Sequence, residues 1–229
     1  LDQAFAIERA DARVGADLLL HYAIADVAWF VADDDPLDRE AWARGVTTYL
    51  PDGKASLYPP ALSEQAASLL PDGPRPAVLL TVRIAADGTV RLAGAERALI
   101  RSRAKLAYET VRDADLPDGF AELAARIAAA EDRRRAARVD PPEQEVERDA
   151  DGRFVLRFRP YSQAETRNAA LSLAANLAVA DALLAAKTGL FRVMAAPDAE
   201  AEQRLRRTAE AFRIEWPAGK RLVQFERRL

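Results

Sequence analysis

The sequence contains no cysteine and a single histidine, His21. The absence of cysteine excludes disulfides, thiolate zinc sites and cysteine nucleophiles. With only one histidine, a metal motif built on two histidines is excluded as well. A chain without cysteine also fits the reducing cytoplasm, so we expect a cytoplasmic location.

Long apolar runs and a leader sequence are also lacking. No stretch approaches the roughly 18 apolar residues that a membrane span needs. The longest apolar pattern, residues 169–186, is interrupted by Ser172, Asn176 and Asp181. The first five residues have neither the basic region nor the cleavage pattern of a signal peptide. Because the chain does not begin with Met, we expect it to be an internal portion of a longer protein. We expect no membrane partner for the chain itself.

The sequence also lacks an excess of positive charge. It has 33 Lys and Arg against 36 Asp and Glu, for a net charge of −3. Nonspecific binding to phosphates favours net positive charge, so the composition argues against a protein that simply coats nucleic acid. A locally basic channel stays compatible with this balance. The length of 229 residues suits one large or two small domains.

Short alternating stretches with β-branched residues predict several strands. The Ala-Asp-Gly sequence at residues 86–88 separates two of them and predicts a β-hairpin, as does the turn sequence at 149–152. The predicted strands are residues 4–10, 17–27, 77–84, 89–92 with an extension at 97–102, 143–147 and 153–159.

Helical patterns lie between these strands in irregular order. Asp38 is the predicted N-cap of the first helix, and Gly189 is the predicted residue after the end of the longest one. Irregular alternation of helices with antiparallel hairpins predicts an α+β fold with a mixed, largely antiparallel sheet and packed helices. The predicted helices are residues 37–48, 60–70, 103–113, 120–139, 162–188 and 197–212, followed by an exposed tail from Trp216.

Three groups of residues, taken in order and spacing, resemble the catalytic domain of the ribonuclease II/R (RNB) family. The resemblance is best over residues 1–111 and weaker over 112–229, where the long predicted helix is similar in placement to the family's central helix. The matching sequences are LDQAF at 1–5 with YAIADV at 22–27, then LDREA at 37–41, TYLP at 48–51 and YPPALS at 58–63, and finally RSRAKLAY at 101–108.

The resemblance implies a processive 3′→5′ exoribonuclease that degrades single-stranded RNA to nucleoside monophosphates, with Mg²⁺ activating a water. Mg²⁺ is held by oxygen ligands, chiefly carboxylates. The family supplies them as an aspartate cluster, Asp-x5-Asp-x-Asp-Asp, in which Asp2 matches the third position and Gln3 occupies the fourth. The resemblance therefore implies Asp2 as a catalytic metal ligand and Gln3 as a weaker, uncharged one.

The sequence also departs from the family pattern. Gln3 carries no negative charge, and Ala169 and Ala170 stand near a position where the family has acidic residues. The family's Ser-Pro-Ile-Arg segment is not in the chain. We therefore expect exoribonuclease activity in the intact parent protein, whereas the isolated chain should bind RNA poorly and not cleave it. The alternative is a degenerate RNB-like module that binds RNA or a protein partner without cleaving.

The resemblance further implies residues that contact RNA. Tyr49 occupies the position of an aromatic that stacks on a base, and Tyr108 that of a residue near the 3′-terminal nucleotide; each could instead be a packing residue. Arg101, Arg103 and Lys105 alternate, so on an extended segment they would share one face and could follow phosphates.

Other polar and aromatic residues fit structural roles better. His21 lies within an apolar strand and is predicted to be a hydrogen-bonded core histidine. Asp26 is predicted to be structural, and Trp29 and Phe30 to belong to the core. The basic run at residues 133–135 is predicted to be a solvated helix face.

Overall fold

The structure, a computed structural model, describes residues 1–11, 16–134, 136, 143–159, 161–191, 193, 195 and 197–226. The strands are β1 (Gln3–Arg9), β2 (Leu18–Ala25), β3 (Thr48–Leu50), β4 (Gly53–Ala55), β5 (Arg75–Ile84), β6 (Val90–Ile100), β7 (Glu143–Arg148) and β8 (Phe154–Arg159). The α-helices are α1 (Pro36–Arg44), α2 (Phe120–Arg134), α3 (Gln163–Ala185), α4 (Ala199–Ala211) and α5 (Leu222–Glu226).

Four strands form an antiparallel sheet in the order β1-β2-β5-β6. Successive side chains of a strand point to opposite faces. Leu18, Leu20 and Tyr22 of β2 therefore lie on the same face, and all three are buried. Val82 and Ile84 of β5 are buried in the same cluster. One face of the sheet thus contributes its side chains to the main hydrophobic core.

Two helices cover this face. α2 buries Phe120, Leu123 and Ile127, while α3 buries Leu171 together with a series of alanines. Alanine side chains are small, so the backbone of α3 can approach the sheet and α2 closely. By length and composition alone α3 could also cross a membrane; here its buried residues belong to the same core as the sheet.

The turn between β5 and β6 confirms the predicted hairpin at residues 86–88. Gly88 adopts a φ of +78°, and a Cβ there would collide with the backbone carbonyl of Arg126 in α2. Glycine is therefore required at this turn both by the positive φ and by the close approach to the helix. β6 is one continuous strand that includes the predicted extension as far as Ile100; residues 101–102 lie outside it.

Two further hairpins lie outside the main sheet. β3 pairs with β4, and β7 pairs with β8, each in antiparallel register. Together with the helices they make the molecule an α+β protein with antiparallel sheets, as predicted.

Several predicted helices have different bounds in the structure. The first begins at Pro36 and ends at Arg44, and its N-cap is Asp35 rather than Asp38, since the Asp35 carboxylate accepts from the Asp38 N–H at 2.8 Å. Proline is favoured in the first turn, where its missing N–H costs nothing, which explains the earlier start. The helix predicted over 60–70 is a single short segment, Ala61–Ala66.

The helix predicted over residues 103–113 is wrong. The chain there is irregular, with a turn at 108–110 and a single 3₁₀ turn, Asp113–Asp115. The Ser102 hydroxyl donates to the Leu69 carbonyl at 2.8 Å, and the Arg112 guanidinium pairs with Asp115 at 3.1 Å. These side-chain bonds, one of them long-range, hold the segment in a non-helical path and override its local propensity.

The tail predicted to be exposed from Trp216 is only partly so: residues 218–221 are exposed, but Trp216 is half-buried and Phe225 is buried. The Trp216 ring stacks on Phe225 of α5, with 4.2 Å between the ring centroids. The guanidinium of Arg206, a residue of α4, lies 4.2 Å from the centroid of the Trp216 ring. The predicted helix over 120–139 corresponds to α2 as far as Arg134, and much of the remainder, with Arg135 of the basic run, lies outside the described residues.

Candidate functional site

Asp2 and Gln3 lie where the chain enters β1. The Ala25 N–H donates to the Asp2 carbonyl oxygen at 2.9 Å, and Gln3 is opposite Ile24 in the antiparallel register. The backbone of both residues is therefore fixed by β2. The Asp2 side chain is exposed, whereas Gln3 is half-buried.

Gln3 connects three other polar side chains through hydrogen bonds. The Tyr22 phenol donates to Gln3 Oε1. Gln3 Nε2 donates to Asn168 Oδ1 at 3.2 Å, and Asn168 Nδ2 donates to the Tyr108 phenol oxygen at 2.8 Å. We call this series, Tyr22–Gln3–Asn168–Tyr108, the relay. It joins two strands, the first turns of α3 and the turn at residues 108–110.

The start of α3 is firmly positioned, which in turn positions Asn168. Ser162 and Glu165 form a capping box: the Ser162 hydroxyl accepts from the Glu165 N–H at 3.2 Å, and the Glu165 carboxylate accepts from the Ser162 N–H at 2.7 Å. Arg159 of β8 also binds the Glu165 carboxylate, at 2.8 and 3.0 Å. The Arg159 guanidinium, followed by the Ser162 backbone, lowers the pKa of Glu165 to about 2.

Tyr108 lies at the outer end of the relay, with 42% of its surface exposed. Partial burial raises the pKa of the Tyr108 phenol above its ordinary value, and the negative charges of Glu165 and Asp2 add to this effect. The phenol is therefore neutral over the physiological pH range. Asn168 bonds to both Gln3 and Tyr108, which are far apart in sequence, and Asp2, next to Gln3, is close enough for its charge to act on the Tyr108 phenol.

The remaining predicted RNA contacts are exposed and unrestrained. Tyr49 is 79% exposed in the β3–β4 hairpin, opposite Lys54. Arg101, Arg103 and Lys105 are also exposed. None of these three cations has an ion-pair partner among the residues that the structure describes. Their roles stay predictions, and the side chains are free to meet a ligand.

The residues at this site do not by themselves form a divalent-cation site. Within the described parts of the chain, no group of three or more acidic or histidine side chains comes close enough to hold a metal ion. Asp2 supplies one carboxylate, and Gln3 Oε1 already accepts a hydrogen bond from Tyr22. A Mg²⁺ ion here would need further oxygen ligands from elsewhere.

Other singled-out residues have mostly structural surroundings. Asp26 is buried and pairs with Arg97 at 2.6 Å, which agrees with its predicted structural role. His21 Nδ1 lies 3.3 Å from the Thr81 hydroxyl, so the ring is hydrogen-bonded as predicted, but only at this nitrogen. Nε2 makes no hydrogen bond and lies 3.6 Å from a Glu8 carboxylate oxygen, and the side chain is half-buried rather than in the core. Trp29 and Phe30 are 56% and 38% exposed and do not belong to the core.

Sequence reasoning missed two members of the relay. The sequence places Tyr22 in a matching segment and Asn168 on the long predicted helix, next to Ala169 and Ala170, but it indicates no contact of either residue with Gln3. Tyr22 is a diagonal neighbour of Gln3 in the β1–β2 register, so a correctly paired hairpin would have indicated that contact. The Gln3–Asn168 contact spans 165 residues and leaves no local signal.

Comparisons with known proteins agree with the geometry. The family model for the RNB domain matches residues 1–227, which confirms the resemblance seen in the sequence. Exoribonuclease 2 of Vibrio vulnificus is 35% identical over 117 residues, and that of Salmonella typhimurium is 41% identical over 113 residues. Each alignment covers 49% of this chain and 17% of the relative. The chain thus spans about a sixth of the length of the curated exoribonucleases it matches.

A solved structure is similar over nearly the whole chain. RNase R of Mycoplasma genitalium, in complex with ribose-methylated single-stranded RNA, superposes with a TM-score of 0.81 at 25% identity. The match covers 96% of this chain and 36% of that one. The similarity therefore extends beyond the sequence-matched half and includes the region of α3.

Proposed function

Because the chain belongs to the RNB domain family, we propose that the protein containing it is a hydrolytic 3′→5′ exoribonuclease that degrades single-stranded RNA to nucleoside monophosphates. The observation that carries the proposal is the relay. It connects Gln3 to Tyr108, at the position next to the 3′-terminal nucleotide, and Asp2, at the position of a family metal ligand, is the residue that precedes Gln3. We place the activity in the cytoplasm.

The residues of this chain would divide the work by their chemistry. Tyr49, an exposed ring, would stack on a base without regard to its identity. Arg101, Arg103 and Lys105 would neutralise phosphates along the strand. Tyr108, a neutral phenol, would form a hydrogen bond to the terminal nucleotide, where contact with a ribose hydroxyl distinguishes RNA from DNA.

The proposal includes Mg²⁺ as the cation, which would supply charge beside the scissile phosphate and an activated water. Asp2 would be one of its carboxylate ligands. Since the described residues contain no group of three or more acidic or histidine side chains that could hold a metal ion, further ligands would have to come from outside them. The part that this chain plays is then to bind and orient the RNA end.

The second candidate is a module that binds RNA without cleaving it. Two observations favour it. Gln3 stands where the family has an acidic residue, and its neutral side chain bonds to Tyr22 and Asn168. Ala170, near a position where the family has acidic residues, is a buried alanine. A neutral site attracts RNA phosphates more than an acidic one does, but it holds a metal ion less well.

The test uses the full-length protein that contains this chain. It is incubated with 5′-labelled single-stranded RNA, or DNA of the same sequence, in Mg²⁺ or in EDTA. The Asp2→Asn variant is compared with Asp181→Asn, which removes an exposed carboxylate from α3 instead. We expect a ladder that shortens from the 3′ end on RNA only, and that is lost in EDTA and in Asp2→Asn but not in Asp181→Asn.

Other outcomes choose between the candidates. RNA that is retarded in a gel but never shortened supports the binding module. If the protein neither retards nor shortens RNA, both candidates are wrong.

A further inference from the structure

The hydrogen bonds of the relay could be donated in either of two directions along the series. Each amide of the relay has a donor and an acceptor end, and turning both amides over would preserve all the contacts between the two phenols. In one direction Tyr22 donates first and the Tyr108 oxygen accepts last. In the other, Tyr108 donates first and the Tyr22 oxygen accepts last.

Burial decides between these directions. Tyr22 is only 5% exposed, and its phenol has Gln3 Oε1 as its hydrogen-bond acceptor. A buried phenol proton without an acceptor is costly, so Tyr22 must donate. Tyr108 is 42% exposed and can give its own proton to water or to a ligand. Donation therefore runs outward, from Tyr22 to Tyr108, and the Tyr108 proton is left free.

This direction depends on an amide at position 3. Gln3 accepts from Tyr22 with its oxygen and donates to Asn168 with its nitrogen. A carboxylate there could accept from Tyr22 but could not donate to Asn168. Asn168 would have to turn its NH₂ group toward the carboxylate, and its oxygen would then take the Tyr108 proton.

We propose that Gln3 is a positioning residue that acts through Asn168 to hold Tyr108 as a hydrogen-bond donor directed away from the protein, toward an acceptor oxygen of the 3′-terminal nucleotide of RNA. The inference rests on the proposed function for its ligand. It assigns to Gln3 a role different from that of a metal ligand, because a carboxylate at position 3 would still accept from Tyr22 but would, through Asn168, consume the Tyr108 proton.

Three substitutions test the relay. Gln3→Glu keeps the length of the side chain and imposes the reversed direction. Tyr22→Phe removes the inner donor without changing any charge, so that the direction is no longer fixed. Each is made alone and together with Tyr108→Phe, and Gln203→Glu, at an exposed position of α4, provides the same charge change elsewhere.

The first measurement is the affinity of the full-length protein for a single-stranded RNA oligonucleotide in EDTA, which prevents cleavage. We expect Gln3→Glu to weaken binding about tenfold and Tyr22→Phe by a smaller factor, as for the loss of one hydrogen bond. Tyr22→Phe should not weaken binding further when Tyr108 is already phenylalanine. In that background Gln3→Glu should weaken it only through the repulsion between its added charge and the phosphates, and Gln203→Glu should bind as wild type does. If the effect of Tyr22→Phe is unchanged in the Tyr108→Phe background, the proposal is wrong.

Repeating the binding and cleavage measurements in Mg²⁺ distinguishes the positioning role from a metal-ligand role, because the two roles predict opposite effects of Gln3→Glu. If Gln3 were a metal ligand, Gln3→Glu would strengthen Mg²⁺-dependent binding or raise the cleavage rate. That outcome would overturn the positioning role. Under the proposal, Gln3→Glu stays weaker than wild type with or without Mg²⁺.

A measurement without RNA separates this inference from the proposed function. Selective ¹³C labelling of the tyrosine ring carbon bonded to oxygen gives a separate NMR signal for Tyr108 in the 229-residue chain, assigned through Tyr108→Phe. Both Gln3→Glu and the uncharged Tyr22→Phe should move this signal, and Gln203→Glu should not. An unmoved Tyr108 signal in both relay variants contradicts the relay even if the protein proves to be a nuclease. A moved signal in a protein that never binds RNA supports the relay and contradicts only its ligand.

Discussion

Two sets of residues with related proposed roles differ in how the fold holds them. The members of the relay are connected by side-chain hydrogen bonds across as many as 165 residues of sequence and are half-buried or buried toward its inner end. Tyr49, Arg101, Arg103 and Lys105, which we call the exposed contacts, lie on a hairpin and an irregular segment with their side chains in solvent. The residue proposed to contact one particular atom of the nucleotide is thus held by hydrogen bonds, whereas the residues proposed to contact a repeating strand are exposed.

The largest expected effect comes from breaking the support of the relay. Leu171 is fully buried on α3, one turn beyond Asn168, so Leu171→Ala should destabilise the fold by about 2–5 kcal/mol. Chemical denaturation measures this, and Leu184→Ala, 59% exposed on the same helix, is the matched control. If Leu171→Ala lowered the free energy of unfolding by less than Leu184→Ala does, α3 would not be anchored through its buried face.

The next largest effect concerns the exposed contacts. Tyr49→Ala should reduce the free energy of RNA binding by about 1–3 kcal/mol through loss of one stacked base, while leaving the unfolding free energy unchanged. Fluorescence anisotropy with single-stranded RNA checks this. Tyr161→Ala, which removes another exposed tyrosine, should bind as wild type does. Equal losses in both variants would contradict a specific stacking role for Tyr49.

A smaller effect links the relay to pH. Glu165→Gln weakens the capping box and the pair with Arg159, and should lower stability by about 1–2 kcal/mol at pH 7. Because the folded-state pKa of Glu165 is lowered from its ordinary value of 4.5 to about 2, its stabilising effect is complete above pH 4.5 and is lost as the pH falls toward 2. Melting temperatures of wild type and Glu165→Gln should therefore converge over this range; a constant difference down to pH 2 would contradict it.

The smallest effect belongs to single cations of the exposed contacts. Arg103→Gln should weaken RNA binding nearly equally for all sequences and reduce the slope of log affinity against log salt by about 0.7, the value for one phosphate contact on a single strand. Titrations at several salt concentrations measure the slope. Arg207→Gln, an exposed arginine of α4, should leave it unchanged. A slope unaltered by Arg103→Gln would place Arg103 away from the phosphates.

The family match and the hairpins are the parts that local sequence could predict. The β5–β6 hairpin follows from the Asp-Gly turn, and the long α3 follows from its apolar pattern, although it ends at Ala185 and not immediately before Gly189 as predicted. Residues 103–113 were predicted as a helix because nothing nearby in sequence reveals that Ser102 bonds to Leu69. The tail at Trp216 was predicted to be exposed because its stacking partner, Phe225, comes from a short helix that the sequence pattern did not indicate.

The sequence by itself determined the family, the α+β class and the identity of the chemical groups, including the amide at position 3. These depend on residue type and short-range order, which a linear chain displays directly. Only the tertiary structure decided that Gln3 meets Tyr22 and Asn168, that Tyr22 is the buried end and Tyr108 the exposed one, and hence which way the hydrogen bonds run. Direction in such a series is set by burial, and burial is a property of the packed molecule rather than of any one residue.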